Sequence, residues 1–155
     1  MSWCNGDVMS CLFCDFVKGE REKHENGFPF EVLNETENTV CFPSIDFPAH
    51  EEGHLLVIPK EHYRSLEDVP PETVSELIEH VQKAARVTRM EHEGCNVLLN
   101  NGEAAGQSVM HVHFHIVPRD EDDDIDIEVW DKKELSEEQF EDLISSARDR
   151  FKQIS

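Results

Sequence analysis

The chain has 155 residues, 38% of them hydrophobic and 31% charged, which suffices for one core and leaves little room for a second domain. Its 34 acidic residues against 14 basic ones give a net charge of −20, which opposes binding to nucleic-acid backbones and to acidic membrane surfaces. No apolar run approaches the ~20 residues of a membrane-spanning helix, and Met1 to Asp7 lacks the basic and apolar regions of an export signal, so the cytoplasm is the expected address.

Residues 1–10 read as a loose arm and 11–155 as a single domain. Leu12, Phe13, Phe16 and Val17 form a short helical stripe that Gly19 ends. Polar residues 20–28 read as a loop. Phe30 to Leu33 and Thr39 to Phe42 flank Asn34-Glu35-Thr36-Glu37-Asn38, the pattern of a hairpin. His54 to Ile58 is a short apolar strand stopped by Pro59. After Pro70-Pro71 the period changes: Val74, Leu77, Ile78, Val81, Ala85 and Thr88 predict an amphipathic helix over 72–92. Asn96 to Leu99 and Val109 to Val117 are further strands, separated by a glycine-bearing loop. Ser136-Glu137-Glu138-Gln139 has the form of a capping box, and Phe140, Leu143, Ile144, Ala147, Phe151 and Ile154 follow as a helical stripe. An antiparallel group of strands with helices inserted and appended makes the class α+β. The run Asp120 to Asp126 reads as a solvated surface loop, and His24, His80 and His92 as exposed residues without a role.

Five cysteines, an odd number, argue against a disulfide framework. Cys41 and Cys95 sit in apolar stretches, where a thiol is usually a small core hydrophobe. Cys11 and Cys14 form a C-x-x-C pair that suits zinc, with histidines completing a tetrahedral site. Spacing alone leaves His50, His54, His62 and His111 open as those histidines. A metal-free reduced pair is the plainer reading, and no βαβ context supports a thioredoxin-like redox role.

The strongest signal is His111-Val112-His113-Phe114-His115-Ile116-Val117. Strand alternation puts the three imidazoles on one face and Met110, Val112, Phe114 and Ile116 on the other. The apolar face has a structural job; three histidines in register do not, which points to acid–base, nucleophilic or metal chemistry. Just upstream, Gly106-Gln107-Ser108 offers close backbone approach, an amide and a hydroxyl. Such a loop holds phosphate oxygens with few cationic side chains.

With this upstream context, the sequence resembles the histidine triad (HIT) family, whose signature is His-φ-His-φ-His-φ-φ with apolar φ. Asp46, the string Gly53-His54-Leu55-Leu56-Val57-Ile58-Pro59-Lys60-x-His62 and the loop Asn100 to Ser108 extend the match over residues 11–118, with 119–155 as a C-terminal extension. The resemblance implies a HIT-like fold of about five antiparallel strands, a long central helix and a C-terminal helix. It implies a nucleotide hydrolase or nucleotidyl transferase acting at the α-phosphate of a purine nucleoside phosphoramidate or related nucleotide. His113 would be the nucleophile and His115 would stabilise charge at the phosphate. Asn100, Gly106, Gln107 and Ser108 would contact phosphate or leaving-group oxygens, Asp46 the ribose hydroxyls, and Phe13 the base. Structural zinc would be held by Cys11, Cys14, His62 and His111, and the assembly would be a homodimer. Pro118-Arg119 resembles a dinucleoside polyphosphate-cleaving branch instead. A zinc-stabilised nucleotide-binding module without turnover is the non-enzymatic alternative.

Overall fold

A computed structural model describes residues 10–46 and 53–154. Five strands form one antiparallel sheet: β1 (Asn34–Glu35), β2 (Thr39–Pro43), β3 (Leu55–Pro59), β4 (Gly94–Leu99) and β5 (Phe114–Arg119), in the order β1-β2-β3-β5-β4. Helix α1 (Leu12–Lys18) precedes them, α2 (Pro71–Thr88) joins β3 to β4, and α3 (Glu137–Ile154) follows. This is the predicted α+β class with five antiparallel strands, a long central helix and a C-terminal helix. No described helix is long and apolar enough to cross a membrane.

The chain divides into two compact units, Met1–Ile125 and Asp126–Ser155. Unit two contains α3, which begins with the predicted capping box. The Ser136 hydroxyl accepts from the Gln139 backbone N–H at 3.2 Å, and the Gln139 side chain accepts in return from the Ser136 N–H at 2.9 Å.

In unit one the sheet is covered on both faces, which explains its apolar strands. Leu77, Val81 and Ala84 of α2 are buried against Cys41, Leu55, Val57, Val112, Phe114 and Ile116. Cys41 is thus the core hydrophobe expected, and burial pushes its thiol up to about 11. On the other face, Phe13 and Phe16 of α1 pack against Val40, Phe42, Leu56 and Ile58. Helix α1 stops where expected: Gly19 takes φ 73°, a left-handed conformation that glycine adopts without a Cβ penalty.

Several local expectations are corrected. The first hairpin strand is not Phe30 to Leu33 but the two residues Asn34–Glu35, paired with Cys41 and Val40. Phe30 leaves the sheet to stack on Phe16 at 4.3 Å, so aromatic packing overrides its strand propensity. The turn Thr36 to Asn38 is held from α2, where the Glu76 carboxylate accepts from the Asn38 backbone and side-chain N–H groups at 2.9 Å. Helix α2 ends at Thr88 rather than residue 92, because the chain must reach Gly94 to pair with Arg119. Strand β5 starts at Phe114, so His111 and His113 lie in the segment leading into it.

His24 and His80 are buried, not exposed. The His24 ring meets Phe16 edge-on at 4.8 Å, and burial lowers its pKa. The acidic run is not simply solvated either. Asp123 is buried beside Arg119, whose Nε and Nη2 donate to it at 2.7 and 3.1 Å, and the guanidinium holds the carboxyl well below the usual range. Asp120 accepts from His92 Nδ1 at 2.7 Å. One half-buried guanidinium and the backbone N–H groups of Asp120 and Ile125, which donate to Asp123, offset the like-charge repulsion that composition suggests.

Leu77 has no exposed surface. Leu77→Ala should therefore lower unfolding stability by about 2–5 kcal/mol, read as a reduced urea midpoint with an unchanged slope.

Candidate active site and metal centre

The histidine ladder keeps its alternation although its first half precedes the strand. Val112, Phe114 and Ile116 enter the α2-facing core, while the imidazoles turn to the α1 side, where Phe13 meets His111 and His113 edge-on at 5.9 and 5.2 Å. The Val112 N–H donates to the Tyr63 carbonyl at 2.7 Å, tying the segment to the chain after β3.

Each ring's protonation pattern follows from its partners, because a carbonyl can only accept. His113 Nδ1–H donates to the His111 carbonyl at 2.7 Å, which leaves the lone pair on Nε2. His54 Nδ1–H donates to the Asp46 carbonyl at 2.6 Å, so its Nε2 accepts from His115 Nδ1–H at 2.9 Å. The lone pair of His115 then sits on Nε2, which is buried and has no partner among the described residues. Burial lowers the pKa of His113. It pushes His115 down to about 4, with His113 and His54 adding to the effect. Both rings are therefore neutral near pH 7, each with one bare nitrogen.

His111 faces the other way. Its Nε2–H donates to the Pro59 carbonyl at 2.8 Å, and burial pushes its pKa down to about 4. The lone pair on Nδ1 lies 3.5 Å from Cys11 Sγ and 3.4 Å from Cys14 Sγ, and His62 Nδ1 lies 3.3 Å from Cys14 Sγ. All four ligand atoms fall within 4.8 Å of one another. Tetrahedral zinc, with bonds of about 2.0–2.3 Å, places its ligand atoms roughly 3.3–3.8 Å apart, which the three sulfur–nitrogen distances match. The carbonyl bond of His111 is the outer-sphere contact that orients a ligating imidazole. Cys14 is disulfide-bonded, so its thiolate becomes available to a metal once that bond is reduced. Burial raises the Cys11 thiol.

The remaining predicted residues are placed as follows. Asp46 is exposed, and its backbone, rather than its carboxylate, meets His54. Phe13 is a buried wall touching the triad, with only 4% of its surface exposed. Gln107 is buried with its amide engaged inside the loop: its oxygen accepts from the Gly102 N–H at 2.8 Å, and its nitrogen donates to the Arg64 and Val109 carbonyls. Gly106 has φ 92°, and a Cβ there would lie 3.7 Å from Asn100 Nδ2, so the amide of Asn100 rests against the glycine. Ser108 is exposed. Of the histidines left open by spacing, His62 and His111 join the cysteines, His54 joins His115, and His50 lies outside the described residues. The pairing of His54 with His115 escaped sequence reasoning, since only the register Leu56↔His115 brings them together.

This geometry agrees with comparisons to known proteins. An adenosine 5′-monophosphoramidase of Candida albicans is 39% identical over 116 residues, which is 71% of this chain and 70% of that protein. A crystal structure of a histidine triad nucleotide-binding protein from Candida albicans superposes with a TM-score of 0.78 at 32% identity, covering 94% of this chain and all of that one. A Zn-bound histidine triad family protein from Mycobacterium smegmatis has a TM-score of 0.66 at 33% identity, covering 95% and 99%. The sequence profile described as the HIT domain matches residues 27–122. Ladder, sheet and profile converge: the chain belongs to the HIT-domain family.

Proposed function

We propose that this chain is a nucleotide hydrolase of the histidine triad type, cleaving at the α-phosphate of a purine nucleoside phosphoramidate through a nucleotidyl-His113 intermediate. The observation that carries this reading is the buried neutral His113 ring, locked through Nδ1–H and carrying its lone pair on Nε2. A locked tautomer with a free lone pair is what an imidazole nucleophile requires. Nε2 attacks the α-phosphorus, the P–N bond of the leaving amine breaks, and the amine departs with a proton taken from solvent. Water then attacks the same phosphorus. His115 Nε2 accepts the water's proton, and the electron pair of the broken P–Nε2 bond returns to His113. His54 positions His115 by holding its Nδ1–H. Gln107 and Gly106 shape the loop whose backbone N–H groups, with the Ser108 hydroxyl and Asn100, face the phosphate oxygens. Asp46 and Phe13 take the ribose and base.

Arg119 favours this substrate class over dinucleoside polyphosphates. Its guanidinium donates to Asp123, to Asn96 at 2.7 Å and to the Ile125 carbonyl at 2.6 Å, so it is engaged within the fold rather than offered to extra phosphates.

Zinc held by Cys11, Cys14, His62 and His111 would be structural, because four protein ligands close a tetrahedral shell. It would fix His111, whose carbonyl in turn receives the His113 N–H. A second copy of the chain is proposed to pair along β4, the edge strand, where Val97 is exposed.

Three outcomes test the reading. Adenosine 5′-phosphoramidate should be turned over faster than diadenosine tetraphosphate, and His113→Ala should lose about 10³-fold or more in kcat while AMP affinity stays unchanged. AMP binding without turnover of either substrate would replace the enzyme with a nucleotide-binding module. The acid limb of kcat should fall below pH 6.5, because His115, facing only His54 and His113 among the histidines, stays neutral until the pH approaches its lowered value of about 4. A limb at or above 6.5 would remove His115 as the acceptor. Protein reduced and purified without chelators should hold one zinc per chain by elemental analysis, and Cys11→Ser should lower both zinc content and Tm. Less than one zinc per two chains, unchanged on adding zinc, refutes the metal assignment.

A further inference from the structure

Helix α3 buries none of its residues, although Phe140, Leu143, Ile144, Ala147, Phe151 and Ile154 form an apolar stripe along it. Phe140, Leu143 and Ile154 are 54%, 50% and 83% exposed. The reading of the triad uses none of them. Most helical stability in proteins comes from packing an apolar face, and a capping residue adds only about 1 kcal/mol. The stripe therefore calls for a partner.

Two features of the helix say what that partner is. The first is that the stripe reads nearly the same from either end about Ala147. Phe140 and Ile154 each lie seven residues from it, and Leu143 and Phe151 each lie four. On an α-helix, steps of four and seven residues return to within about 40° of the same line. A two-fold axis perpendicular to the helix at Ala147 thus lays the stripe of one copy on that of another, antiparallel, as an isologous contact requires. Ala147, the smallest side chain of the stripe, falls at the crossing, where two helix axes come closest.

The second feature is that charge divides about the same residue. Within α3, Glu137, Glu138, Glu141 and Asp142 precede Ala147 with no cation among them, whereas Arg148, Arg150 and Lys152 follow it with Asp149 as the one carboxylate. Parallel pairing would set carboxylates on carboxylates. Antiparallel pairing sets the acidic half of each helix against the basic half of the other, and Glu141 of one copy comes opposite Lys152 of the other on the same flank. The helix dipole accounts for carboxylates in the first turn and a cation in the last, but it does nothing for an exposed stripe. We propose that α3 is a self-association surface, pairing antiparallel with α3 of a second copy of this chain about a two-fold axis at Ala147. The proposal rests neither on the activity assigned to the triad nor on the pairing along β4.

Photocrosslinking tests it. In the full-length, reduced chain Phe140 is replaced by p-benzoylphenylalanine, and equal amounts of ¹⁴N- and ¹⁵N-labelled protein are mixed and irradiated. Mixed-isotope adducts are expected, mapping by tandem mass spectrometry to the turn ending at Ile154 of the other copy. Ala147→Arg brings two like charges together at the axis and should lower the interchain yield about tenfold. Ser145→Arg adds the same charge on the opposite side of the helix and should leave the yield unchanged. Arginine is a good helix former, so both variants keep α3. Adducts confined to one chain, interchain adducts outside residues 147–154, no interchain adduct, or equal yields from the two arginine variants overturn the proposal. If either arginine variant fails to fold, the adduct map of the otherwise unaltered helix still decides. The yield reports α3 itself, so the result stands whether or not copies also meet along β4.

Discussion

The N–H of His113 ends on the carbonyl of His111, that of His54 on Asp46, and that of His111 on Pro59. Each imidazole thereby has one nitrogen committed to backbone, and a neutral ring can then present only a lone pair on the other. The two catalytic candidates carry theirs on Nε2, and His111 carries its own on Nδ1, toward the sulfur atoms of Cys11 and Cys14. A rigid carbonyl thus sets the tautomer of His113 and of His111 directly, and that of His115 through His54. Burial supports it by lowering the pKa of His111, His113 and His115.

Because adjacent histidines use opposite nitrogens, one short segment serves two centres. His111 belongs to the cysteine side through its ring and to His113 through its carbonyl. A disturbance at the cysteines reaches His113 through a single residue and needs no longer pathway. A metal held at the cysteines would thereby influence the His113 ring without taking part in its chemistry.

The net charge of −20 sets a second constraint. A chain so acidic has few cations to offer an anion, and some of those are engaged within the fold. Arg119 is embraced by Asp123, and Lys60 pairs with Glu35 at 3.1 Å. In the function proposed above, the donors for phosphate are therefore neutral: backbone N–H groups and the hydroxyl of the loop ending at Ser108. Gly106, at φ 92°, and the internally bonded Gln107 hold that loop in shape. The two faces of the sheet differ in use: the α1 side carries the imidazoles, and the α2 side carries the larger apolar core.

Periodicity is a local property, so the sequence by itself determined the α+β class, the body of α2, the Gly19 stop, the capping box and the grouping of three imidazoles on one face. The alternation at His111, His113 and His115 survived even though β5 begins only at Phe114, because extended backbone alternates with or without a paired neighbour. The cysteine pair was equally legible, and the family resemblance named its two histidines. Tertiary structure alone decided the rest. Cys11 meets His111 across 100 residues of sequence, and His54 meets His115 across 61. Such contacts arise from strand register, which no short window contains. The burial of His24 and His80, the folding of an acidic run around Arg119, and the departure of Phe30 from its strand have the same origin. Each follows from which distant surfaces pack together, and packing can reverse what a residue's own polarity or propensity suggests.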